Sequence, residues 1–322
     1  MAQRGGVLDQ FCSQLSSVHV GEPIALDGVS LFPLCWPEAE PSPVDLYEEA
    51  LERGDVELTE KGSGDVPEIQ LHNHGTRPIL IPEGALLIGA RQNRVTNATV
   101  VVAARSVFTV PVSCVERGRW SWRSKQFAHG WYAPPSLRAM KSRQVHESLH
   151  SEGRPHSDQM RVWGGVASFL AARRAMHPDD DLASAYHAYE EEPAVDAGEL
   201  LERLPPNTAG LAVAVEDRIV GMDLFDEAKK FRRTFKGLIA GYLTELLWRT
   251  GQERREQADE HEPPPAPAKD LAERFFQRVK AAARVRPQRI GISEEIEIDS
   301  REVVGMAVLY EGRICHLAAF AG

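Results

Sequence analysis

From Ile24 to Cys114 the apolar positions alternate with polar ones or run in short β-branched blocks. The segments "VSLFPL", "VELTE", "EIQLHNHG", "RPILIPEGALLIGA", "TNATVVVAA" and "SVFTVPVSCV" are bounded by Gly, Pro, Asn or Asp, which predicts strands of an antiparallel sheet. One stretch breaks the period. In "PVDLYEEALERG", Leu46, Ala50 and Leu51 fall at helical spacing and Gly54 stands where a C-cap belongs, so a short helix is expected there.

After about Tyr132 the period lengthens. "PPSLRAMKSRQVHESL" opens on prolines suited to a first helical turn, and "SDQMRVWGGVASFLAARRAM" sets Met160, Trp163, Val166, Phe169 and Leu170 on one face. "DDLASAYHAYEEE" and "DAGELLERL" follow as helices, the second with Asp196 and Glu199 spaced as a capping box. "AGLAVAVEDRIVGMDLF" predicts a hairpin turning at Glu216, Asp217 and Arg218. The next helix, from about Asp226 to Arg249, carries Phe231, Phe235, Leu238, Tyr242 and Leu246 on a single stripe and is expected at the centre of the core.

"QERREQADEHEPPPAPA" is charged and then proline-rich, with no apolar face, and is expected to be an exposed linker. "KDLAERFFQRVKAAARVR" returns to a helix, and "RIGISEEIEID", "VVGMAVLYEG" and "RICHLAAF" close the chain as a three-stranded meander. The order β-rich, helical, then mixed predicts an α+β fold. The expected division is an N-terminal extension over 1–23, a main α+β region over 24–250, a linker over 251–268, and a C-terminal helix with meander over 269–322 packing on the same domain.

Composition narrows the class. The chain has 322 residues, long enough for one large core or two smaller ones. No apolar run approaches the roughly 20 residues of a membrane-spanning helix, and "MAQRGGVLDQFCSQL" lacks a signal-peptide core, so a cytoplasmic protein with no membrane partner is expected. Cys12, Cys35, Cys114 and Cys315 form no CxxC pair, which fits a reduced compartment. The net charge of −10 argues against bulk nucleic-acid binding. Basic residues nevertheless cluster locally: Arg91, Arg94, Arg105, Arg117, Arg119, Arg123 and Lys125 lie close together, which suits a small phosphorylated or carboxylated metabolite.

The chemistry-bearing residues gather in the same region. In "PEGALLIGARQNRVTN", the carboxamides of Gln92 and Asn93 can read hydroxyls or a base edge, Arg94 can hold a phosphate and Glu83 can accept protons from a ribose diol, while a hairpin whose polar groups satisfy its own turn explains the same residues. In "PVSCVERGRWSWR", Cys114 and Glu116 share a strand face as a nucleophile and a base would. A buried structural thiol is the alternative for Cys114, favoured by its place between an apolar neighbour and a polar loop. Arg119 and Trp120 combine a phosphate grip with a stacking face for a nucleotide-like ligand, against an irregular loop pinned by its aromatics. His72 and His74 have the spacing of a strand-borne metal pair, but no third ligand stands nearby and no metal is expected. GxGxxG, GxxxxGK[ST], HExxH and GxSxG are absent, so no cofactor is indicated by motif.

The stretch "EGALLIGARQNRVTNATVVVAARSVFTVPVSCVERGRW" resembles the signature of the ARPP-1 family, the ADP-ribosylglycohydrolase and rhodanese-phosphatase-associated domain, and "GLAVAVEDRIVGMDLF" with its long helix is similar to that family's second half. The resemblance runs from about Ile24 to Phe320 and rests on Glu83, Gln92, Asn93, Arg94, Ser113, Cys114, Glu116, Arg119 and Trp120. It implies an α+β fold and a role in processing ADP-ribose-derived or NAD-derived compounds, with no agreed catalytic residue. On the residues alone, the chemistry assigns Glu83, Glu116 and Cys114 to catalysis and Gln92, Asn93, Arg94, Arg119 and Trp120 to the ligand. A non-catalytic sensor or a subunit with a protein partner remains the alternative.

Overall fold

Alternation along the strands builds the molecule as layers. A computed structural model describes residues 2–36, 41–62, 67–175, 177–191, 193, 195–256 and 269–322. The N-terminal part contains α1 (Ala2–Ser16), β1 (His19–Val20), β2 (Ile24–Leu26), β3 (Val29–Cys35), β4 (Asp45–Leu46), α2 (Tyr47–Arg53), β5 (Val56–Glu60), β6 (Glu68–Asn73), β7 (Ile79–Ile81), β8 (Ala85–Gly89), β9 (Arg94–Thr96), β10 (Val100–Val102), β11 (Ser106–Cys114) and β12 (Phe127–Tyr132). The helical middle holds α3 (Pro135–Glu152), α4 (Gln159–Ala172), α5 (Ala183–Glu191) and α6 (Ala197–Glu202). The C-terminal part has β13 (Thr208–Val215), β14 (Arg218–Phe225), α7 (Ala228–Glu256), α8 (Asp270–Ala282), β15 (Ala283–Val285), β16 (Glu294–Asp299), β17 (Val303–Tyr310) and β18 (Arg313–Ala321). This is an α+β fold.

The N-terminal strands do not make one sheet. β3 leaves its neighbours to pair with β13, so it joins the C-terminal strands in a nine-stranded sheet ordered β1-β3-β13-β14-β18-β17-β16-β15, with β2 also on β3. β12-β8-β9-β11-β6-β5 form a six-stranded sheet, and β10-β7-β4 a small one whose β4–β7 pair is parallel. The closing meander is β16, β17 and β18.

Period two sorts the large sheet's side chains. Leu31, Leu211 and Val213 face a core shared with Phe231, Phe235, Leu238, Tyr242 and Leu246 of α7, while Phe32, Leu34, Ala212 and Met222 face a second core closed by Phe11 and Leu15 of α1 and by Phe275, Phe276 and Val279 of α8. The stripe on α7 is buried throughout, each side chain contributing about 1.5–3 kcal/mol of transfer free energy. Where α7 crosses β12, a Cβ on Gly241 would stand 2.6 Å from the Tyr132 carbonyl oxygen, so only glycine lets the helix lie this close.

Capping groups close several helix ends. Gly54 caps α2 at φ +76°, and the carboxylates of Asp158 and Asp196 accept from the first backbone N–H groups of α4 and α6. On α4 the buried face is Val162, Val166, Phe169 and Leu170; Met160 is exposed and Trp163 turns toward Arg117 instead. Helix α7 continues to Glu256, six residues into the stretch read as linker, and 257–268 lie outside the described residues. Among the described residues no helix is long and apolar enough to cross a membrane.

Candidate functional site

β11 ends at Cys114 and delivers Glu116 into the interior against the β8–β9 hairpin. The Glu116 side chain is fully buried; it accepts from the Asn93 backbone N–H at 2.9 Å and from Arg119 Nε and Nη2, each at 2.6 Å. Arg119 also donates to the carbonyls of Ala90 at 2.8 Å, Ser121 at 2.7 Å and Gly89 at 3.2 Å. Its guanidinium therefore staples the 116–121 segment to the hairpin tip. Gln92 Nε2 donates to the Glu116 carbonyl at 2.8 Å, and Asn93 Nδ2 donates to Asp181 Oδ1 at 3.0 Å. Burial and the neighbouring Glu116 charge raise the Asp181 carboxyl above its ordinary value.

An arginine, a hydroxyl and a thiol complete this interior. Arg94 is fully buried on β9; Nη1 donates to Gln92 Oε1 at 3.1 Å, Nη2 stands 3.5 Å from Glu60 Oε1, and Nε has no hydrogen-bond partner. Ser113 Oγ donates to Asn97 Oδ1 at 2.9 Å. Cys114 is fully buried, its thiol donates to the Glu116 carbonyl at 3.1 Å, and burial pushes its pKa up. A protonated, enclosed thiol is a poor nucleophile. Iodoacetamide on the native protein is expected to label Cys12, the only cysteine not buried, before Cys114 or Cys315, as read by peptide mass mapping; early labelling of Cys114 would show that the strand end opens.

Beyond Arg119 the loop surfaces. Trp120 is 51% and Trp122 is 55% exposed, and the Arg91 guanidinium lies over both rings, 5.8 Å and 4.8 Å from their centroids. Arg123, with its side chain 48% exposed, stands 4.0 Å from Glu116. Lys125 is exposed on the same loop. Aromatic faces and free cations side by side can stack a planar ring and attract a phosphate.

Glu83 belongs to a different network. It is buried in the turn before β8, where Arg138 of α3 donates to Glu83 Oε1 from Nε at 2.8 Å and to Asp223 Oδ1 and Oδ2 at 2.5 Å and 2.9 Å. Tyr242 donates to Asp223 at 2.8 Å, and His316 Nε2 lies 3.6 Å from the same carboxylate. Burial alone would raise the Asp223 carboxyl, but Arg138 and His316 override it and hold it far below the usual range. Gly84, at φ +77°, passes so close that a Cβ would meet Arg138 Nε at 2.6 Å. Beside this network Lys141 Nζ donates to the Thr96 carbonyl at 2.6 Å, and burial brings its ammonium down to about 7. Glu83 and Glu116 thus sit in separate buried networks, neither facing solvent nor sharing a cleft.

A third cluster carries a perturbed acid–base pair, Glu48 and His129, that no sequence spacing joins. Tyr47 and Glu48 start α2, His129 and Tyr132 lie on β12, and Arg233 reaches in from α7. Tyr132 donates to Glu48 Oε1 at 3.1 Å, His129 Nε2 is 3.6 Å from Glu48 Oε2, and Tyr47 bonds His129 Nδ1 at 2.6 Å. Burial raises Glu48 to about 8, opposed by Tyr132 and Arg233, while burial and Arg233 lower His129 to about 4. At neutral pH the acid holds its proton and the imidazole is neutral. The His129 side chain is 25% exposed, so the pair touches solvent.

A cleft of about 510 Å³ opens elsewhere, at the start of α7. Its charges are already matched: Lys230 with Asp226 and Ser42, Arg77 with Asp45, and Lys229 with Glu49. It offers a ligand little unpaired charge.

Fold and site together define an α+β protein with a stapled, buried Glu–Arg–carboxamide interior beneath an exposed arginine–tryptophan loop. The chain belongs to the ARPP-1 family, whose model, the ARG and Rhodanese-Phosphatase-superfamily-associated Protein domain, matches residues 17–320. That description links the family by association to ARG and rhodanese-phosphatase systems. No curated protein and no solved structure matches the chain.

Proposed function

We propose that the protein binds a phosphorylated, base-containing metabolite of the ADP-ribose or NAD class on the loop formed by Arg91, Trp120, Trp122, Arg123 and Lys125, and acts as a sensor or recruiting subunit. The observation that carries this is the guanidinium of Arg91 held over two half-exposed indoles. Gln92, Asn93, Arg94 and Arg119 then position the loop from below. Glu83 and Glu116, both buried, are each consumed by an arginine, which favours binding over catalysis by these acids.

Calorimetric titration with ADP-ribose, NAD and AMP tests the proposal. Trp120→Ala with Trp122→Ala is expected to weaken ADP-ribose binding about tenfold or more, because stacking contributes roughly 1–3 kcal/mol per base, while the melting temperature of this exposed double variant stays put. Absence of binding at millimolar ligand, or binding indifferent to both tryptophans, overturns it.

A processing role has its own supporting observation in Glu48 and His129. A carboxylic acid protonated near neutrality beside a neutral imidazole has the form of a general acid–base pair. Chromatography of ADP-ribose and NAD incubated with the protein separates the readings: turnover lost in Glu48→Gln supports the enzyme, and unchanged ligand supports the sensor.

A further inference from the structure

Strand β16 puts its apolar and acidic residues on opposite faces. Ile296 and Ile298 enter the core closed by α8, leaving Glu295, Glu297 and Asp299 together on the other face. Helix α3 covers that side. Its His150 Nε2 reaches Glu297 Oε2 at 3.1 Å, and His146, one turn earlier, brings a ring nitrogen within 4.8 Å of oxygens of both Glu297 and Asp299.

The cations present do not close this cluster. Arg286 spends its short contact on Glu295, with Nη1 2.7 Å from Oε2, and its Nε is 3.5 Å from Glu297. Arg143 Nη1 is 3.9 Å from Asp299 Oδ1. These last two are ion pairs without hydrogen-bond geometry. Three carboxylates therefore face two guanidinium groups. His146 is 2% exposed and its Nδ1 has no hydrogen-bond partner, an uncommon state for a buried ring nitrogen, and the ring stands beside two carboxylates.

We propose that His146 and His150 of α3 with Glu297 and Asp299 of β16 bind a divalent first-row cation of the zinc and manganese class, clamping the helix to the sheet. Two imidazoles and two carboxylates without a thiolate suit these cations. Ligand atoms about 2.1 Å from a common ion stand roughly 3.5 Å apart, so His146, Glu297 and Asp299, within 4.8 Å of one another, need about an ångström of contraction, and His150 must swing in from its contact with Glu297. His150, with its side chain 66% exposed, and Asp299, 41% exposed, are free to supply it. A site assembled from a helix and a strand so far apart in the chain leaves no spacing motif, which is why the sequence led only to His72 and His74.

The experiment uses the tag-free, EDTA-treated full chain. Calorimetry with Zn²⁺ and visible absorption with Co²⁺ are expected to give one site per chain, with Zn²⁺ raising the melting temperature. His150→Ala and Asp299→Asn, both at the exposed rim, are expected to fold normally by circular dichroism and to weaken Zn²⁺ binding about tenfold or more. The control His72→Ala with His74→Ala is expected to keep full affinity. A native dissociation constant weaker than about 100 μM, on the order of 5 kcal/mol of binding, overturns the proposal. So does affinity unchanged in both rim variants, or affinity lost only in the control, which would place the ion on β6.

Discussion

Arg138→Met is expected to destabilise the protein by about 3–5 kcal/mol at pH 7, measured by chemical denaturation, because it strips the cation from two buried carboxylates at once. Arg138 is fully buried, and it is the group that draws Glu83 and Asp223 together beneath Tyr242. Removing a single partner leaves uncompensated charge in a poorly solvated interior, which costs far more than the intact pair contributes. The sign of the pH effect follows from Asp223. Its folded pKa is depressed below the ordinary value of 3.8, so its contribution is present above that pH and is lost as pH falls toward the folded value. The loss caused by Arg138→Met should therefore shrink in acid, where the stranded carboxylates take up protons. Combining it with Glu83→Gln and Asp223→Asn removes the stranded charges and is expected to recover at least half of the loss. A single variant costing under about 1 kcal/mol, or a triple variant no better than the single one, would show that the carboxylates are solvated by other means.

What the sequence made legible was local. The α7 stripe, the β13–β14 hairpin, the meander and the caps at Gly54 and Asp196 depend on neighbours within a few residues, and all stand where period and punctuation put them. Helix α3 hides its function for the opposite reason. Beside Leu137, Val145 and Leu149 it buries Arg138, Lys141, Ser142, Gln144 and His146, polar residues that period alone assigns to solvent. Partners 55 and 85 residues away make that face an interior one for Arg138, and no single-sequence pattern links such positions. β9 and β12 were missed because three polar-looking residues around Arg94 and a loop rich in aromatics carry little alternation. In the candidate site, the sequence brought together Gln92, Asn93, Glu116 and Arg119, which do meet, and added Glu83, which joins another network. Exposure was the quantity it could not weigh: Glu116 and Arg94 are interior, whereas Trp120 is on the surface.

Glu48→Gln is expected to stabilise the protein increasingly as pH rises, by roughly 2–4 kcal/mol at pH 8.5 relative to pH 5. Burial lifts the Glu48 carboxyl from 4.5 to about 8, so the folded state holds a proton that the unfolded chain has released. A raised carboxyl pKa contributes stability fully present below the unfolded value and lost as pH climbs to the folded one, here between 4.5 and about 8. Glutamine imitates the neutral acid: its oxygen can accept from Tyr132, and its amide can donate to the neutral His129 ring. Among the described residues, the cation paired with Glu48 is Arg233, 3.8 Å away on a side chain 37% exposed, so losing that pair costs little. His129 and Lys141 titrate in the opposite sense, their folded pKa values being lowered to about 4 and about 7, and each gives stability that rises with pH. Both groups are present in parent and variant, so the difference between the two denaturation curves at each pH isolates Glu48. A difference that stays flat from pH 5 to pH 8.5 would mean that Glu48 is ionised throughout. It would remove the protonated acid from the pair with His129, and with it the observation that supports a processing role.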